Sequence, residues 1–188
     1  MMKNSVLDTN YLSENDFQAV RLPSGREVMW MYIFMPGYGD ELDDFIAGIT
    51  PPQWNDWIAS FQSPYDIYGV PEFEGGNFRM PKFKASYQKE LEDVLTSLGM
   101  GLAFTGGADF SGICSELPLF ISFVRQKAVI EVNEEGSEAA AATVVGMEQG
   151  VSPPVFSFSV NRPFFFVIRD DRTETILFMG KIVDPKYD

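Results

Sequence analysis

Histidine is absent from all 188 residues, and that gap disfavours two large function classes. Without an imidazole there is no Ser-His-Asp arrangement and none of the commonest metal ligand, so hydrolytic or metal-dependent catalysis is not expected. No catalytic residue, cofactor or metal is assigned. Cysteine occurs once, at Cys114. A lone cysteine excludes an internal disulfide, and with no histidine as its base the thiol is read as structural. Positive charge is scarce: 14 Lys and Arg stand against 27 Asp and Glu, for a net charge of −13. That balance argues against nucleic acid, heparin-like polyanions and anionic membrane surfaces as partners. The acidic surface is read as a solubility device. No apolar run is long enough to cross a bilayer, and Met1 is not followed by the basic region and apolar core of a secretory signal.

What is present fits a globular protein with much sheet. Val28 to Met35 (VMWMYIFM) is a continuous apolar run of strand length, stopped by Pro36 and Gly37. Two short helices are expected next. Leu42, Phe45, Ile46 and Ile49 follow helical spacing with Asp40 as cap, and Trp54, Trp57, Ile58 and Phe61 repeat it. Thr50-Pro51-Pro52-Gln53 reads as a capping box with proline at the first helical position. The tryptophans are read as core. A third helix is expected over Gln88 to Leu98, ending at Gly99. Phe78 to Ser86, Phe120 to Val132, Phe156 to Val160, Phe164 to Arg169 and Ile176 to Val183 read as strands. Pro163 marks a break between two of them, and Asp170 to Thr173 a hairpin turn. No repeat, low-complexity tract or linker divides the chain.

Residues 131 to 143 read EVNEEGSEAAAAT. In an extended chain Ser137, Ala139, Ala141 and Thr143, followed by Val145 and Met147, point one way. Glu138, Ala140, Ala142 and Glu148 point the other. One face is therefore chargeless and mostly small. A helix beginning at Ser137 is an equal reading of the same residues, because alanine is the best helix former.

Downstream lie FSVNRPFFFVIRD (Phe158 to Asp170) and ILFMGKIVDP (Ile176 to Pro185). With DFQAVRLP (Asp16 to Pro23), MYIFMP (Met31 to Pro36), MPKF (Met80 to Phe83), LTSLGMGLAF (Leu95 to Phe104) and ADFSGI (Ala108 to Ile113), they resemble the serpin family in the expected order. The resemblance implies an α+β fold, the β-rich serpin fold of mixed sheets with a few short helices. Residues 1–188 then correspond to the C-terminal half of a single serpin domain, with residue 1 at the first strand of the family's sheet B. The N-terminal half becomes an expected partner.

The resemblance also implies a function: protease inhibition by a reactive loop, here about 134–154, that is cleaved and then inserts into the main sheet. Insertion follows covalent acyl-enzyme trapping. The hinge comprises Glu134, Glu135, Gly136, Ser137, Glu138, Ala139, Ala140, Ala141, Ala142 and Thr143. A small neutral residue at Ser137 followed by alanines is what inhibitory members carry, since a charge on the inserting face would oppose burial. Counting forward from Gly136 by the family's usual loop length and back from Pro153-Pro154, the resemblance places the reactive bond at Gly150-Val151; because glycine is an unusual residue for a protease's primary pocket, Val145 and Met147 are the alternative cleavage points. Lys82 and Glu134 match a pair that forms a salt bridge where insertion begins. Gln126 departs from the histidine that many members carry. No Lys or Arg lies between Lys127 and Arg162, so the expected target is an elastase-, subtilisin- or papain-like protease and not a trypsin-like one. The alternative is a non-inhibitory serpin serving as carrier, chaperone or interaction module. The compartment is open between extracellular and cytoplasmic, the family leaning extracellular.

Overall fold

A computed structural model describes residues 2–6, 10–24, 29–61, 76–133 and 157–187. Among these the longest apolar runs fall at the centre of a five-stranded sheet. Strands β2 (Asn10–Ser13), β3 (Phe17–Ser24) and β4 (Met29–Pro36) are joined by two late strands, Phe164–Asp170 and Thr175–Ile182. Each neighbouring pair is antiparallel, and Phe164–Asp170 lies between β4 and Thr175–Ile182. β4 and Phe164–Asp170 are apolar nearly throughout because they are central strands covered on both faces. Their register sets Phe34 opposite Phe165 and Ile33 opposite Phe166.

One face of this sheet is covered by two helices, α1 (Leu42–Gly48) and α2 (Pro51–Ser60). Phe45, Ile46, Ile49, Trp54, Trp57 and Ile58 pack on a buried cluster that includes Leu12, Phe17, Tyr32, Phe34 and Val167. The Trp57 ring lies 4.6 Å from that of Phe17 and is stacked on Phe45 at 5.8 Å. Burying side chains of this size is worth roughly 1.5–3 kcal/mol each, and this packing orders helices too short to stand alone. The capping box of α2 is present, with the Thr50 N–H donating to Gln53 Oε1 at 3.2 Å. At α1 the cap position is Glu41 rather than Asp40, and no side chain caps it. On the opposite face the rings of Phe164 and Phe166 meet Phe83 at 5.7 and 5.8 Å.

A smaller sheet contains β1 (Met2–Val6), β5 (Gly76–Met80) and Ser157–Ser159. β1 runs antiparallel to β5, and Ser157–Ser159 runs parallel to β5. The first strand of the chain thus belongs to this sheet, and the five-stranded sheet opens at β2. The expected strand Phe78 to Ser86 is split in two, because Pro81 cannot donate to a ladder and ends β5.

Its second part is β6 (Phe83–Glu90), which pairs with β7 (Arg125–Val132) in a two-stranded sheet. β6 takes Gln88 to Glu90 from the helix expected over Gln88 to Leu98; the helix itself is only Glu92–Leu95, followed by a wider turn over Thr96–Met100. Gly99, at φ +98°, kinks this turn in the left-handed region that favours glycine, and a short 3-10 helix over Gly101–Phe104 follows. β7 begins at Arg125, so the preceding Phe120 to Val124 lie outside the strand expected there. The described residues cluster in two compact units, 84–130 and the remainder. In the first, Leu98, Leu102, Ile113, Leu117 and Phe123 are exposed.

With those elements placed, the late strands are named in order: β8 is Ser157–Ser159, β9 is Phe164–Asp170 and β10 is Thr175–Ile182. The β9–β10 turn falls where Asp170 to Thr173 predicted it, with Glu174 at φ 59°.

Candidate functional site

β7 delivers the chain to residue 133, immediately before the segment expected to be the loop. An extended backbone sets Glu131 and Asn133 on one face of the strand. The hydroxyl of Tyr187 joins them: it donates to Glu131 Oε1 at 2.9 Å and accepts from Asn133 Nδ2 at 3.1 Å. Asn133 Nδ2 also stands 3.4 Å from Glu131 Oε1. Tyr187 arrives on the tail that follows β10, and its side chain is 44% exposed. Lys82, set between β5 and β6 beside the Pro81 break, holds its ammonium 5.9 Å from the centre of the Tyr187 ring. That is the outer limit of a cation–π contact.

Four side chains from three distant segments therefore meet at the end of β7. They supply one ammonium, one carboxylate, one amide and one phenol, which can bind and orient a backbone. No nucleophile or base pair for covalent chemistry is among them. Cys114, the one thiol, is half-buried in the unit of residues 84–130. Among the described residues no cluster of three acidic or cysteine side chains could hold a metal, and no helix is long and apolar enough to cross a membrane.

Of the site residues expected from sequence, Lys82 lies in this cluster. Glu134, Glu135, Gly136, Ser137, Glu138, Ala139, Ala140, Ala141, Ala142 and Thr143 lie outside the described residues, as do Gly150 and Val151. Gln126 stands exposed on β7. Tyr187, Asn133 and Glu131 were not foreseen. Tyr187 is 54 and 56 positions from its two partners, and a polar DPKYD tail carries no pattern that announces such a contact.

Comparison with known proteins gives a consistent picture. The family model described as Serpin (serine protease inhibitor) matches residues 1–185. Serpin I2 of Homo sapiens is 31% identical over 188 residues, covering 98% of this chain and 44% of that relative. Serpin-Z4 of Hordeum vulgare is 35% identical over 185 residues, covering 93% of this chain and 44% of that relative. Among solved structures, human glycosylated kallistatin superposes with a TM-score of 0.73 at 25% identity, over 100% of this chain and 46% of that one. The chain spans under half the length of these relatives.

Proposed function

The chain belongs to the serpin family, whose members are generally protease inhibitors, and from that premise we propose that it carries the reactive loop, hinge and insertion strand of such an inhibitor. The observation that carries this reading is the run Ser137 to Thr143, separated from the end of β7 by the four residues 133–136. Alternate small uncharged side chains there can enter a sheet with no charge to desolvate. The proposed loop, about 134–154, falls in sequence between β7 of one sheet and β8 of another.

In the proposed mechanism a protease nucleophile attacks the carbonyl carbon of Gly150. The Gly150-Val151 bond breaks, the Val151 nitrogen leaves with a proton from the protease's general acid, and an ester to serine, or a thioester to cysteine, remains. The freed segment then adds beside β7, gaining backbone hydrogen bonds before water reaches the acyl bond. Metastability of the uncleaved fold supplies the drive. With no Lys or Arg between Lys127 and Arg162, the fitting targets are elastase-, subtilisin- or papain-like enzymes.

Residues 1–188 are proposed to be the C-terminal part of one serpin domain, completed by an N-terminal half. The share of each relative covered supports this, as do the exposed apolar side chains Leu98, Ile113 and Phe123. The test is incubation of the completed domain with subtilisin and with elastase. An SDS-resistant adduct is expected, and its absence with every target contradicts the inhibitory reading.

A further inference from the structure

The geometry points to Tyr187 as a positioning residue for loop insertion, a role that rests on the inhibitory reading above. Its hydroxyl clasps Glu131, the penultimate residue of β7, and Asn133, the residue that follows the strand, at 2.9 and 3.1 Å. Side chains leave a sheet through its faces, whereas a new strand bonds along its edge. The clasp therefore occupies the face of β7 and leaves the edge open to an incoming strand.

Insertion requires the chain beyond Asn133 to reverse and lie beside β7. Strand ends open first, and an end that frays during the reversal offers more than one register. A slip of one residue turns Ser137, Ala139, Ala141 and Thr143 away from the interior and brings Glu138 toward it. By bridging positions 131 and 133, the phenol holds the pivot in one conformation. The Lys82 ammonium, 5.9 Å from the ring centre, borders the same ring and extends the cluster to the β5–β6 junction. Tyr187 touches neither protease nor reactive bond in this scheme. It acts through β7, by keeping productive insertion ahead of hydrolysis of the acyl-enzyme.

The test uses the completed serpin domain as wild type, Tyr187→Phe and Asn133→Ala. Tyr187→Phe keeps the ring and its place near Lys82 and removes only the hydroxyl. Two readouts are taken: moles of inhibitor consumed per mole of protease trapped, and amide hydrogen exchange at residues 131–133. A structural role elsewhere would not move the first while speeding exchange only at the second. The role predicts a roughly two- to tenfold rise in the stoichiometry for Tyr187→Phe, the scale expected of a lost hydrogen bond or two, with faster exchange at 131–133. The double variant should be little worse than Tyr187→Phe, because both changes break one clasp. Wild-type stoichiometry and exchange in Tyr187→Phe overturn the role while leaving an adduct-forming inhibitor intact. A wild-type domain that traps no protease overturns the inhibitory reading, and the role with it.

Discussion

The phenol of Tyr32 in β4 reaches the carboxylate of Asp171 in the β9–β10 turn, donating at 2.7 Å across 139 positions of sequence. Arg169 and Arg21 converge on the same acid at 2.5 and 3.4 Å, so one aspartate ties β3, β4 and β9 together. Arg21 also lies against the Trp30 ring at 4.2 Å. Asp171→Ala removes the hub and leaves the buried Arg169 with only the exposed Glu174, 3.7 Å away, as counter-charge among the described residues. Urea unfolding of the completed domain should register a loss of about 3 kcal/mol. Asp171→Asn, which can still accept from the phenol, should lose less, about 1–2 kcal/mol. A loss under about 0.5 kcal/mol for Asp171→Ala, the range of an ordinary surface change, would mean the hub is ornamental.

Alkaline pH should find the same contact. Burial, together with its bond to Asp171, pushes the Tyr32 hydroxyl up to about 12 from 10. The unfolded chain releases this proton near pH 10 while the folded one retains it, so folding binds a proton between those values. Tyr32 therefore contributes stability that is fully present below pH 10 and is lost as pH rises toward 12, on the order of 2–3 kcal/mol in all. Unfolding measured from pH 9 to 11.5 should fall more steeply for wild type than for Tyr32→Phe. Parallel curves would show that this phenol does not control the response.

Gly180 in β10 is set against the ring of Phe166. A Cβ built there meets Phe166 Cε1 at 2.9 Å and Cζ at 3.0 Å, and that ring is buried. Gly180→Ala should destabilise by about 1–3 kcal/mol through overpacking. Gly180→Ala combined with Phe166→Leu should recover part of the loss. If the single substitution melts like wild type, the close approach is not rigid.

How much of this was legible in the sequence depends on the kind of interaction. Val28 to Met35, Phe164 to Arg169 and the Thr50-Pro51-Pro52-Gln53 box were read from local pattern, since apolar continuity and capping are local facts. Gln88 to Glu90 were misassigned because helical spacing of Leu91, Val94 and Leu95 extends backward in sequence, while pairing with β7 decides the structure. Lys82 was singled out by its family motif as one half of a pair with Glu134, which lies outside the described residues. The Tyr187 clasp and the Asp171 hub were not found, because each joins residues more than 50 positions apart by hydrogen bonds that leave no periodic trace.

Charge placed on the hinge should separate its two faces. Ala141→Glu puts a carboxylate among the side chains expected to enter the sheet, and Ala142→Glu puts it on the other face. The first carries a penalty of several kcal/mol, roughly, unless the charge is paired, and should turn the inhibitor into a substrate that is cleaved without trapping. The second should retain most of the adduct seen on SDS gels. Equal loss in both variants would reject the alternation of faces from Ser137 to Thr143.

Insertion itself is read most directly by stability after a single cut. The completed domain is nicked between residues 144 and 151 by a catalytic amount of thermolysin, a metalloprotease that forms no acyl-enzyme to be trapped, and its unfolding temperature is compared with that of the intact protein. A cleaved segment that becomes an extra strand beside β7 raises the unfolding temperature by tens of degrees, since a whole strand's hydrogen bonds and buried surface are added. An unfolding temperature unchanged by the cut contradicts insertion, and leaves the chain a serpin that does not trap.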